Sequence, residues 1–163
     1  MKQIKQFLLL SVLVGFTSCT VTKSAQEYNK DVVYQEILTM FNSYHNDVKE
    51  QGLLAQLNYL DASEDFYWLP VGYKTPQNYT SLKTIIIESA KNLKSIELEW
   101  VQLQITPVTG QFATYSGVVK VAMKDIQDRL SAAYVIETGT LIKRVNEWKL
   151  LSGQSQLSKP SYK

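Results

Sequence analysis

SIELEWVQLQIT (residues 95–106) and, after Pro107-Val108-Thr109-Gly110, QFATYSGVVKVAMK (residues 111–124) decide the fold. Apolar and polar residues alternate along both segments, the period of a half-buried strand. A two-residue turn at Thr109-Gly110 sets Trp100 against Val119, Leu98 against Val121 and Ile96 against Met123. The same register sets Glu99 against Lys120 on the other face. One pairing thus yields an apolar face and a cross-strand ion pair, and that agreement supports it.

A second hairpin follows in residues 131–144 and 148–157, around Val145-Asn146-Glu147. Pairing Arg144 with Trp148 also pairs Ile142 with Leu150, Thr140 with Ser152 and Thr138 with Gln154. Upstream, Val33, Ile37, Phe41, Tyr44 and Val48 recur at helical spacing. They predict a helix over residues 25–51, opened by the capping-box spacing of Ser24 and Glu27 and closed by Gly52. A short helix is expected at 53–60, an aromatic strand at 64–69 and a helix at 80–93. Helices followed by two long hairpins make an α+β domain, with the helices on one face of a strongly curved antiparallel sheet.

This order, the aromatic strand after the second helix, and the ending KRVNEWKLL (residues 143–151) resemble SnoaL-like proteins of the nuclear-transport-factor-two-like, cystatin-like superfamily. The resemblance implies a cone-shaped cavity between sheet and helices. By the registers above, its ligand-binding wall would hold Trp100, Gln102, Gln104, Tyr115, Tyr134, Thr138, Thr140, Ser152 and Gln154. Apolar walls with a few amides and hydroxyls suit a small amphiphilic ligand. Many relatives carry His six residues after the Trp of the last hairpin. Here that position is Gln154, so the resemblance brings no proton shuttle with it.

The chain has 163 residues, 17 Lys+Arg, 15 Asp+Glu, one Cys and one His. One cysteine excludes a disulfide framework, and one histidine excludes a multi-histidine metal site. Residues 1–18 read as an export signal, with Lys2 and Lys5 ahead of an apolar run too short to span a bilayer. Phe16-Thr17-Ser18-Cys19 resembles a bacterial lipobox, which implies cleavage before Cys19 and a lipid on its thiol. The expected organisation is a signal peptide over 1–18, a lipidated tether over 19–24, the domain over 25–157 and a tail over 158–163. Thr20 is not Asp, so the resemblance points to the periplasmic face of an outer membrane. Lys2 and Lys5 leave with the signal and no acid does, so the mature chain is formally neutral. Without an extended basic patch it has no nucleic-acid footprint.

No P-loop, GxGxxG, GxSxG or HExxH is present, and no cofactor or metal is expected. His45 is the weak candidate for catalysis, read chiefly as a half-buried histidine beside Tyr44. Glu137 is read as pointing away from the cavity, and Asp61, Glu64 and Asp65 as a solvated turn. With no acid or base on the inward face, a non-catalytic domain binding a small ligand or a partner leads. A cyclase, isomerase or dehydratase using an acid–base pair in the cavity is the alternative. A buried titratable group beside an open pocket would favour that enzyme. Val101, Leu103, Ile105 and Val118 are expected on the outer face of the sheet, as an apolar patch for a homodimer.

Overall fold

The computed structural model describes residues 28–158. The expected signal peptide and tether lie outside the described residues, as do Ser24, Glu27 and all of the expected tail but Ser158. Helix α1 (Lys30–Gln51) is capped by Asn29, whose side chain accepts from the backbone N–H groups of Asp31 and Val32. Its buried stripe is Val33, Ile37, Phe41, Tyr44 and Val48, the set that periodicity predicts. Gly52 ends it in the left-handed region at φ 84°, donating its N–H to Val48. A 3-10 helix follows (Leu53–Tyr59), then the short strand β1 (Tyr67–Leu69) and helix α2 (Tyr79–Ala90), capped by Asn78. Strands β2 (Leu93–Pro107), β3 (Phe112–Asp125), β4 (Leu130–Arg144) and β5 (Glu147–Leu157) complete the chain.

The sheet order is β1-β5-β4-β3-β2. All pairs are antiparallel except β1 with β5, which is parallel. This is the expected α+β architecture, with helices packed into a strongly curled sheet. Phe41, Ile37 and Val48 of α1 are fully buried in the same core as Tyr115, Leu141 and Trp148 of the sheet.

Two β-bulges govern which side chains face that core. The expected β2–β3 register holds from Ile96 to Trp100 and then shifts at Val101. Beyond it Gln102 pairs with Val118, Leu103 with Gly117 and Ile105 with Tyr115. An extra residue turns every later side chain over. Gln102 and Gln104 are therefore exposed on the outer face rather than lining a cavity. Leu103 packs against the core, and Ile105 is buried at 7% exposure. Of the expected dimer patch, only Val101 and Val118 remain outside.

The second bulge lies in β5. Thr140 pairs with Ser152 and Thr138 with Gln154, as expected, but Leu141 rather than Ile142 pairs with Leu150. Leu151 is the extra residue. The turn is Val145-Asn146, with Val145 at φ 55° and Arg144 opposite Glu147. Since inward Leu150 meets Leu141, the odd-numbered residues of β4 face inward. Tyr134, Thr138 and Thr140 consequently face out, with Ser152 and Gln154 beside them, and Glu137 faces in. The acid Asp61 is also not solvated: it is 6% exposed and accepts from the Arg144 guanidinium at 2.8 Å.

Candidate functional site

Between α1, α2 and the curled sheet lies a partly open cavity of about 210 Å³. Leu82 and Ile86 of α2, Leu98 of β2, Val119 and Val121 of β3 and Val135 of β4 form its apolar walls, with Trp68 at one side. Its titratable groups are Tyr44 and His45 of α1 and Glu137 of β4. No lysine or arginine lines it.

Glu137 is held by a short hydrogen-bonded chain. The Trp68 indole N–H donates to Ser155 Oγ at 3.0 Å, and Ser155 donates to Glu137 Oε1 at 3.2 Å. An indole N–H has no acceptor function, so the serine oxygen must accept from it and its own proton is free for the carboxylate. Glu137 is partly exposed and lines the cavity. Burial pushes its carboxyl up to about 7, against the smaller opposing effect of the Ser155 hydrogen bond. At neutral pH the group is therefore poised to give or take a proton.

His45 stacks on Trp100, ring centres 5.5 Å apart, and meets Tyr44 edge-on at 5.3 Å. Burial lowers its pKa to about 4, so it is a neutral imidazole at pH 7. The Tyr44 and Tyr115 hydroxyls are held protonated, first by burial and then by the charge of Glu137. Among the described residues, Tyr115 Oη and Trp100 Nε1 are buried without a hydrogen-bond partner. Buried polar groups normally have one, so two orphans in one aromatic cluster mark this end of the cone as unusual.

Tyr115 and Trp68 reach their places because glycines make room for them. A Cβ on Gly139 would stand 2.8 Å from the Tyr115 ring and 2.7 Å from the Ser152 carbonyl. One on Gly153 would meet the Trp68 ring at 2.6 Å. Each ring thus occupies the space of a missing side chain on the neighbouring strand.

Of the wall expected from the sequence, Trp100 and Tyr115 lie on the inner face. Gln102, Gln104, Tyr134, Thr138, Thr140, Ser152 and Gln154 lie on the outer one. His45 is where its helical position placed it. Glu137, read as facing away, is the central acid. The signal that would have found it is Gly139, two residues on, whose bare position opposite Tyr115 marks the inner face of β4.

A larger concavity, about 830 Å³, lies outside the cone between α1, the 3-10 helix and the β4–β5 turn. Its carboxylates Glu36 and Glu147 are ion-paired to Lys143 and Lys149, and Asp31 is exposed. Among the described residues no cluster of His, Cys, Asp and Glu could hold a metal ion, and no helix is long and apolar enough to cross a membrane.

No family model matches the sequence, and no curated protein matches it either. Solved structures do match by shape. A nuclear transport factor 2-like superfamily protein from Salmonella enterica aligns with a TM-score of 0.66 at 13% identity, over 81% of this chain and 96% of its own. A cystatin-fold protein from Caulobacter vibrioides gives 0.62 at 14% identity, over 79% and 92%. A hexachlorocyclohexane dehydrochlorinase gives 0.62 at 9% identity, over 78% and 86%. At these identities the likeness carries the fold alone, and the chain has the α+β cystatin-like fold of nuclear transport factor 2-like proteins.

Proposed function

We propose that the cone is an acid–base site acting on a small, largely apolar molecule, with Glu137 as the group that exchanges the proton. The observation that carries this reading is the buried carboxylate lining the cavity, fixed in orientation by Trp68 and Ser155. Its inward position supports the enzymatic alternative over a non-catalytic binding domain. Desolvation raises the basicity of a carboxylate, and the apolar walls exclude water that would compete for the proton. The neutral His45 and the protonated Tyr44 are the hydrogen-bonding groups nearest to hand for charge that develops on the substrate. Elimination or isomerisation needs no cofactor in such a site, and a dehydrochlorinase shares the fold.

The test needs no natural substrate. 5-Nitrobenzisoxazole loses its ring C–H proton to a base while its N–O bond breaks, giving a nitrile and a coloured phenolate. The wild type is expected to turn it over with a rate that rises through pH about 7. Glu137→Gln should lose ~100-fold or more, the usual contribution of a positioned base. A variant as fast as the wild type would end the reading.

We also propose that Cys19 carries the lipid that holds the protein at a membrane. The support is the apolar leader, the lipobox resemblance and the placement of the chain's one thiol at that position. Two or more acyl chains anchor stably, at ~0.8 kcal/mol per buried methylene. Cys19→Ala should abolish palmitate labelling and release the protein from the membrane fraction. Continued labelling would refute the anchor.

A further inference from the structure

The outer face of the sheet is divided by chemistry. Toward one end it carries charge, with Glu97, Glu99 and Lys120 in neighbouring positions. Beyond these, past the row of Gln102, Val118, Ile136 and Gln156, come two rows of uncharged polar side chains. Gln104, Ser116, Thr138 and Gln154 lie side by side across four strands. Thr106, Thr114, Thr140 and Ser152 form the next row, which Tyr67 of β1 extends. Exposed sheet faces ordinarily mix charges of both signs. Here eight consecutive positions are hydroxyls and amides.

Thr138 and Gln154 of the first row and Thr114, Thr140 and Ser152 of the second floor a concavity of about 440 Å³, walled by Tyr67, Leu69 and Pro76. No charged side chain lines it. The floor is not self-satisfied: none of these threonine, serine or glutamine side chains makes a hydrogen bond within the described residues. Ser152 is the most recessed of them, at 8% exposure; it lines the concavity, and its hydroxyl, still open to solvent, has no partner in the protein. A bound hydroxyl could pair with it in place of water. Tyr67 is 54% exposed and offers a ring face at the edge.

We propose that this groove binds a neutral oligosaccharide. Uncharged donors and acceptors in a row match sugar hydroxyls, which both give and accept hydrogen bonds. The aromatic ring offers an apolar platform to the C–H face of a pyranose. The absence of lysine and arginine leaves nothing to hold a phosphate, sulfate or uronate. Strands spaced ~4.8 Å apart present these groups at about the length of one sugar unit. The site is separate from the cone and does not depend on Glu137.

Titration calorimetry of the protein with residues 1–19 removed, using cellotriose, chitotriose and maltotriose as probes, tests this. Saturable binding of at least one is expected, with trigalacturonate failing to bind. Tyr67→Ala should weaken that binding about tenfold, the loss of one stacked aromatic face. Ser152→Ala should weaken it as well, both variants remaining folded by circular dichroism. The proposal is overturned if none of the three neutral sugars binds at millimolar concentration, if trigalacturonate binds equally well, or if Tyr67→Ala binds like the wild type. Sedimentation supplies the remaining arm. A wild-type dimer dissociated by Thr138→Arg would make the face a contact between two copies instead, built on these rows and on the adjacent Val118, Tyr134 and Ile136.

Discussion

Glu137→Gln is expected to stabilise the protein at pH 8 by about 3 kcal/mol, since a carboxyl raised from 4.5 to about 7 folds in the wrong charge state above neutrality, at ~1.4 kcal/mol per unit. A raised carboxylate pKa means that the folded state holds the proton more tightly than the unfolded one. Its contribution to stability therefore rises as pH falls from 7 toward 4.5, and is lost above 7. His45 works the other way: its folded pKa of about 4 lies below the ordinary 6.5, so acidification through that window destabilises. The wild-type curve mixes the two, and only the difference between variant and wild type isolates Glu137. That difference, from urea unfolding, should be largest at pH 8 and shrink toward zero at pH 5. A gap of the same size at both values, or a variant less stable at pH 8, would contradict the buried position of the acid. The expected stabilisation would make the protein resemble many enzymes, which gain stability when their reactive group is removed.

Trp148→Ala is expected to destabilise by ~3–5 kcal/mol, the usual range for deleting a buried Trp. The residue is 4% exposed and belongs to the core cluster. It sits opposite Lys143 rather than against the stem of Arg144, and its indole N–H donates to Glu36 of α1 at 2.8 Å. Lys143 donates to the same carboxylate oxygen at 2.6 Å, so the hairpin and the helix share one polar clasp. Trp148→Phe separates the two contributions: it retains most of the ring and loses about 1 kcal/mol for the hydrogen bond. A wild-type melting temperature for Trp148→Ala would show that the core does not rest on this ring.

Much of the fold was legible in the residues. The stripe from Val33 to Val48 and the pairing of Trp100 with Val119 each follow from periodicity, which packing preserved. The site was less so, and the reason is local. Alternation along a strand tells which residues share a face only while the register is unbroken. Leu98, Trp100, Leu103 and Ile105 all face the core, yet they are spaced two, three and two residues apart. Read at a constant period, the last two fall on the wrong side. In β4 the apolar residues Val135, Ile136, Leu141 and Ile142 occur in adjacent pairs, so the sequence carries no phase there. The phase came from the turn, and the extra residue Leu151 reversed it. That single reversal moved Glu137 from outside to inside, and with it the chemistry of the cavity.

Loss or gain of one residue inside a strand is normally ruinous, because it exchanges the wet and dry sides of everything downstream. At Val101 and Leu151 the exchange is already built in, and the surrounding residues have settled around it. Deleting Val101 would set Trp100 beside Gln102 in an unbroken strand and leave the pairs of Gln102 with Val118, Leu103 with Gly117 and Ile105 with Tyr115 as they are. Gln102 and Gln104 would stay outside and Leu103 and Ile105 inside. The bulge is thereby the point in β2 where a residue can be lost without exchanging the two faces. Relatives aligned without a gap at Val101 should be compared face by face, since the same column on either side of that residue can hold a core position in one protein and a solvent position in another.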